Sequence, residues 1–351
     1  MKQLLRLLVA MPFIAWANPD DMAAEQAEPV EQVGQVEQEA APAPEPEPAP
    51  APKKAAAPYT LPFQLRPISA GNVVRLDNTL ALYDATESTV PGGKGMKEVS
   101  VLNAGYTFAP DFGLLARIGV ANDFPDKDVT PGAKNGSALT NGILFLNYTP
   151  KFLDGALRTA FYLGVSAPIG SGGGNNGDQS LRAVNSGSGL VRANMDGALH
   201  LVNDMAIIPG VDIAYVAYGL TVQLEVTYLE IFRVRGEEKQ VAEVAKRNLV
   251  GGLFVGYSII PQLAVGVELR YQRWLKPPRA IQNNLDSDSP EANDRADLQM
   301  QNMTIAIGLR GNFKIGEKTF FRPAISYAMG IMGQIADQKY HLIQLDLPFS
   351  L

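Results

Sequence analysis

Residues 340–351 read YHLIQLDLPFSL. His341, Ile343, Leu345, Leu347, Phe349 and Leu351 share one parity, and Leu342, Gln344, Asp346 and Ser350 share the other. Side chains alternate between the two faces of a strand, so this period of two predicts a β-strand with one apolar face. A lone strand cannot satisfy its own backbone, so the rest of the chain must supply partners.

Working back toward the N-terminus, the same alternation recurs. It predicts twelve strands, at about 72–85, 98–108, 113–122, 141–149, 156–167, 205–216, 220–235, 248–259, 263–275, 299–313, 319–332 and 340–350. The connections alternate in length. Short ones fall at 109–112, 150–154, 217–219, 260–262 and 314–318. Long polar ones fall at 87–97, 122–140, 168–204, 236–247 and 276–298, with a shorter last member at 333–339. Short turns on one rim and long loops on the other are the plan of a transmembrane up-and-down β-barrel. With an even strand count, both ends of the barrel segment lie on the short-turn rim.

Each even-numbered strand carries an aromatic on its apolar face near that rim: Phe108, Tyr148, Tyr215, Tyr257, Phe313 and Phe349. Such a ring is expected where a barrel meets the membrane interface. The opposite parity holds Arg75, Asp77, Arg117, Arg158, Asp212, Glu225, Glu268, Arg270, Arg310, Arg322 and Asp346. A charge facing lipid at mid-depth costs about 2–4 kcal/mol, so these residues are expected to line the lumen. They can fill a narrow interior with ion pairs, or line a pore and set its selectivity.

Composition agrees with this architecture without selecting it. The chain is 46% hydrophobic and 19% charged, which suits a soluble protein or a barrel whose two faces average out. The 33 glycines and 25 prolines favour many turns over a helical bundle. Residues 249–267 form an uncharged run long enough for a spanning helix, but Pro261 and four glycines interrupt it. Two strands and a turn explain the run better. A soluble β-sandwich would explain the alternation, but not the ring and the loop asymmetry together.

Residues 1–17 read as a secretory signal peptide. Lys2 and Arg6 precede an apolar core, and Ala15-Trp16-Ala17 supplies a cleavage site. Residues 18–58 form an acidic, then Pro/Ala-rich linker ending in APAPEPEPAPAPKKAAAP. This composition predicts an extended, disordered periplasmic tether, with peptidoglycan or a periplasmic protein as a partner it could reach. The net charge is −6 before the leader and its two cations are removed, and no basic cluster is present. Nucleic acid is therefore a poor expectation as a partner.

Residues 59–351 resemble bacterial outer-membrane β-barrels, porin-like channels in the broad sense. The resemblance is carried by the leader, the alternation, the aromatic ring, the loop asymmetry and the strand at 340–350. The runs IPGVDIAY from Ile208 and ELRYQRWL from Glu268 are also similar to uncharacterised proteobacterial barrels of twelve strands. The resemblance implies an outer-membrane location, with lipid, periplasmic chaperones and the barrel-assembly machinery as partners. It implies a narrow channel for small polar solutes or ions, or else a plugged structural barrel holding a periplasmic tail.

The sequence offers little for catalysis, cofactors or metals. Outer-membrane phospholipases resemble this layout and use a Ser-His-Asn triad. Here the only histidines are His200 and His341, and neither has that family's close His-x-Ser spacing. No cysteine is present for a thiolate site. Asp286, Asp288 and Glu291 lack the spacing of a calcium loop, and the glycine run at 171–178 has no following Gly-Lys-Ser/Thr to make a phosphate loop. Within the longest loop, Val191, Met195, Ala198 and Val202 recur at helical spacing, with Arg192 and Asp196 one turn apart. One loop helix is predicted at 190–203, capping the rim or folding inward.

Overall fold

The computed structural model describes residues 59–68, 71–236 and 245–351. The signal peptide and the whole of the linker expected at 1–58 lie outside the described residues, as does part of the loop at 236–247.

The strands are β1 (Val73–Asp84), β2 (Lys94–Ala109), β3 (Phe112–Pro125), β4 (Gly136–Leu139), β5 (Gly142–Tyr148), β6 (Lys151–Phe152), β7 (Leu157–Ala167) and β8 (Asp204–Ala217). They continue as β9 (Leu220–Arg233), β10 (Lys246–Ile260), β11 (Leu263–Lys276), β12 (Gln301–Gly311), β13 (Phe313–Lys314), β14 (Phe320–Phe321), β15 (Ala324–Gly333) and β16 (His341–Ser350). Twelve of these are full staves, each antiparallel to its sequence neighbours. β16 pairs with β1 from Val73↔Ser350 to Leu82↔His341, which closes the barrel. Closure removes both sheet edges, which lipid could not hydrate.

The parity of the sequence is the parity of the wall. On β10, Val250, Gly252, Phe254 and Gly256 point inward and are buried, while Leu253, Val255 and Tyr257 are exposed on the outer face. No helix among the described residues is long and apolar enough to cross a membrane. The strands do so instead, and the apolar outer belt is the surface that lipid requires.

Four departures from the expected elements have local causes. First, the stave expected at 141–149 is β5, but the wall also extends into the loop expected at 122–140 as β4. β4 and β5 both pair with β3, and Thr140 and Asn141 bulge between them. The Asn141 amide donates to the carbonyls of Ala198 (3.0 Å) and Leu201 (2.9 Å), so the bulge anchors a loop. Second, the stave expected at 299–313 ends at Gly311, and Phe313 belongs to a short hairpin of β13 and β14. Third, the stave expected at 319–332 breaks at Arg322-Pro323, because proline has no N–H to pair.

Fourth, the single predicted loop helix is replaced by several short ones. The loop after β7 holds α1 (Gln179–Ser188), a 3-10 turn (Gly189–Arg192) and α2 (Gly197–His200). Ala193 and Asn194 are both left-handed, at φ 52° and 56°, and this ends the helix expected at 190–203. The loop after β11 folds as α3 (Arg279–Leu285) and α4 (Pro290–Met300), and the last loop as α5 (Gln334–Asp337).

The core lies inside the barrel. Val99, Val101, Phe145 and Phe254 of the wall pack with Val191, Leu199 and Met195 of the β7–β8 loop, and with Phe63 and Leu65 of the segment preceding β1.

Candidate functional site

Residues 59–68, here called the strap, take no part in the wall. They run through the lumen without forming a helix or a strand. A backbone buried this way has no ladder to pair with, so its polar groups need other partners. The wall supplies them.

The N–H groups of Phe63 (2.6 Å) and Gln64 (3.1 Å) donate to Glu268, that of Arg66 (2.7 Å) to Glu225, and that of Thr60 (3.0 Å) to Thr221. Arg310 donates to the carbonyls of Leu61 and Pro62, both at 2.8 Å. The Phe63 carbonyl accepts from Gln344 (2.7 Å) and from Arg75, and the Arg66 carbonyl accepts from Gln223 (2.6 Å).

The side chains of the strap are equally fitted. Phe63 meets Phe254 edge to face at 5.7 Å between centroids. Inward-facing glycines make the room: a Cβ on Gly252 would overlap Leu65, and one on Gly308 would come within 2.8 Å of Phe63. The Arg66 guanidinium stacks over Phe145 and Tyr162, and donates to Glu225 (2.5 Å), Thr227 (2.8 Å) and the Tyr162 hydroxyl (2.9 Å).

The second occupant is the β7–β8 loop. Its 3-10 turn and α2 fold inward, burying Arg192, Asp196 and His200. Asp196 accepts a two-pronged pair from Arg117 (2.7 and 2.8 Å) and a third bond from Arg192 (2.5 Å). Arg192 reaches Asp77 at 2.9 Å, which also accepts from Gln344 at 2.9 Å. Arg66 of the strap lies 4.0 Å from Asp196, so strap, loop and wall share one charged network.

The eleven charged residues of lumen parity fall into five sets. Arg75, Arg310 and Asp346 form one cluster, with both arginines 2.6 Å from the aspartate. Glu225 and Glu268 hold the strap backbone, and Asp77 and Arg117 hold the loop. Arg158 and Arg322 lie toward the short-turn rim, stacked over Tyr59 and Phe320. Asp212 and Arg270 are buried without a hydrogen-bond partner among the described residues, although Arg270 lies 3.5 Å from Glu268. Asp212 sits directly opposite Glu225 across the β8–β9 ladder.

The six expected aromatics all face outward and are exposed. Phe112 stacks on Tyr148 at 4.6 Å and Phe321 on Phe349 at 4.5 Å, so the ring has members beyond the expected six. His341 also faces outward, with its Nδ1 2.6 Å from the Tyr327 hydroxyl.

The strap leaves only a faint signal in the sequence. Leu61, Phe63 and Leu65 alternate just before the first stave, and glycines recur at the inward parity of the staves they pack on. Together these were a legible sign that something lies against the wall from inside.

The cavities that flank the strap are small. A void of about 10 Å³ separates strap and loop, lined by Gln64, Arg66, Arg192, Met195, Asp196 and Glu225. Others of about 20 and 40 Å³ flank the strap lower down. These hold a water molecule or two at most. A larger hollow of about 310 Å³ is lined mostly by residues of the outer face, among them Leu102, Ala116, Leu144 and Val165.

No protein-family model and no curated protein matches the sequence. Solved structures do match. The COG4313 outer membrane channel from Pseudomonas putida F1 is similar over 83% of this chain and 98% of its own, at 10% identity and a TM-score of 0.50. The NanC porin (79% and 100% covered, 10% identity, TM-score 0.42) and the KdgM porin (79% and 99%, 11%, 0.38) also match. At such identity the likeness concerns the fold, and the fold is that of an outer-membrane β-barrel.

Proposed function

We propose that this chain is an outer-membrane channel for small polar solutes and ions, and that the arrangement described here is its closed state. One observation carries the proposal. The strap and the β7–β8 loop occupy the lumen and pack against its wall. Many of the wall charges are spent on holding these two segments. When the segments leave, a polar passage with both signs of charge remains. A twelve-stranded barrel is wider than an eight-stranded one filled by side chains and narrower than a sixteen-stranded porin, which favours small solutes. The Pseudomonas putida protein of similar fold is an outer membrane channel.

Transport is favoured over catalysis. His341 pairs with Tyr327 on the outer face, and the buried His200 has no hydrogen-bond partner among the described residues, so neither is hydrogen-bonded to a serine it could activate. The short-turn rim, where the strap enters, is assigned to the periplasm. Insertion by the barrel-assembly machinery and contact of residues 18–58 with peptidoglycan or a periplasmic protein belong to the same proposal.

A second reading is favoured by the occupied lumen itself: a permanently plugged barrel whose role is to hold the preceding tail in the periplasm. Liposome swelling separates the two. Vesicles carrying the folded chain, with Phe63→Ala and Leu65→Ala to loosen the strap, are expected to swell in small sugars and not in large ones. No swelling from protein shown to be folded by heat-modifiable gel mobility would favour the plugged barrel.

A further inference from the structure

The contacts of the strap have the character of a binding site. Wall side chains hold at least seven of its backbone groups, and backbone recognition of this kind depends little on sequence. Two apolar positions, Phe63 and Leu65, fill places left open by inward glycines. One cation, Arg66, enters an aromatic and acidic pocket formed by Phe145, Tyr162, Thr227 and Glu225.

The wall is also electrostatically incomplete without its occupant. Asp212 and Glu225 face each other across two strands, an arrangement that destabilises a bare sheet. Arg66 is the cation bonded to this pair, through Glu225. On the opposite side, the two arginines that share Asp346 spend their remaining donors largely on the carbonyls of Leu61, Pro62 and Phe63. Acidic groups meet the N–H side of the strap, and basic groups meet its carbonyl side.

We propose that the lumen is an exchangeable peptide-binding site. It recognises a short segment of the pattern Phe-x-Leu-Arg, and residues 59–68 are its resident ligand, supplied by the same chain. A peptide of this pattern presented from the periplasm takes the place of the strap. This rests on the barrel architecture. It deepens the channel proposal by naming what closes the pore, but the binding itself does not require conduction.

The test uses the full-length chain. Phe63→Ala with Leu65→Ala removes the two anchors without touching the wall. Gly252→Leu is the second variant, and puts a side chain where Leu65 sits. A fluorescent peptide spanning residues 59–68 is added to each folded protein, and anisotropy reads binding. The double variant is expected to bind it, and the Gly252→Leu variant is not. A peptide carrying Phe63→Ala is expected to bind about a hundredfold more weakly. In planar bilayers, the same peptide is expected to block currents through the double variant.

Currents without peptide binding or block would overturn the binding site and leave the channel standing. Binding without currents would uphold the site and overturn the channel. Equal binding to the double and Gly252→Leu variants would overturn the proposed location.

Discussion

Arg66 is the residue on which both closures meet. Its guanidinium bonds to Glu225 of the wall and approaches Asp196 of the loop, while its side chain is nearly buried. Removing one member of a buried pair leaves the other charge unpaired, at a cost of about 3–5 kcal/mol. Arg66→Ala is therefore expected to loosen the strap and the loop together. The check is protease sensitivity of both segments in the folded barrel; loosening of the strap alone would show that the two closures are independent.

His200 provides a pH dependence. Burial holds its imidazole down to about 4, against 6.5 when free, with Asp196 opposing and Arg192 and Arg117 reinforcing the effect. The loop that exposes His200 therefore binds a proton more readily than the loop folded inward. The inward arrangement keeps its full stability above pH 6.5 and loses this contribution as pH falls from 6.5 toward 4. Met195, buried in the same loop, reports on it. Peroxide oxidation of Met195, read by mass spectrometry, is expected to rise from pH 7 to pH 5 in the parent and to change little in His200→Gln. At this scale, parity alone marked the charged positions. It could not tell a charge that lines water from one that binds a peptide, because the ligand lies in another part of the chain.

Among the elements, the staves were legible because each has one face in lipid and one inside, and period two follows from that. Where boundaries moved, a local residue explains it: Pro323 breaks the penultimate stave, and Asn141 lies where β4 takes over the pairing with β3 from β5. The helix at α4 carried its own signal, Ser289 followed by Pro290, with the serine hydroxyl accepting from the Ala292 N–H. The strap left a fainter trace, since three alternating apolar residues beside a proline read equally as linker. The last stave carries a prediction of its own. Phe349 stacks on Phe321 where β14 meets β16 at the short-turn rim. Phe349→Ala is expected to slow insertion into lipid vesicles, followed by gel mobility, with little change in any pore selectivity. Insertion at the parent rate would remove this end of the strand as an assembly signal.

At the scale of the molecule, the barrel follows from pattern and its contents do not. Closure of β16 on β1 is implied by an even set of staves and the absence of any tolerable edge in lipid. What fills the barrel depends on contacts far apart in sequence, such as Phe63 with Glu268 and Arg117 with Asp196, for which no periodicity exists. In the proposed channel, the wall encloses a passage closed by its own strap and loop. Single-channel recording in planar bilayers tests it most directly, comparing the parent with the Phe63→Ala, Leu65→Ala variant. The parent is expected to be almost silent with rare openings, and the variant to show frequent discrete steps of small, uniform conductance. A correctly folded variant as silent as the parent would contradict it.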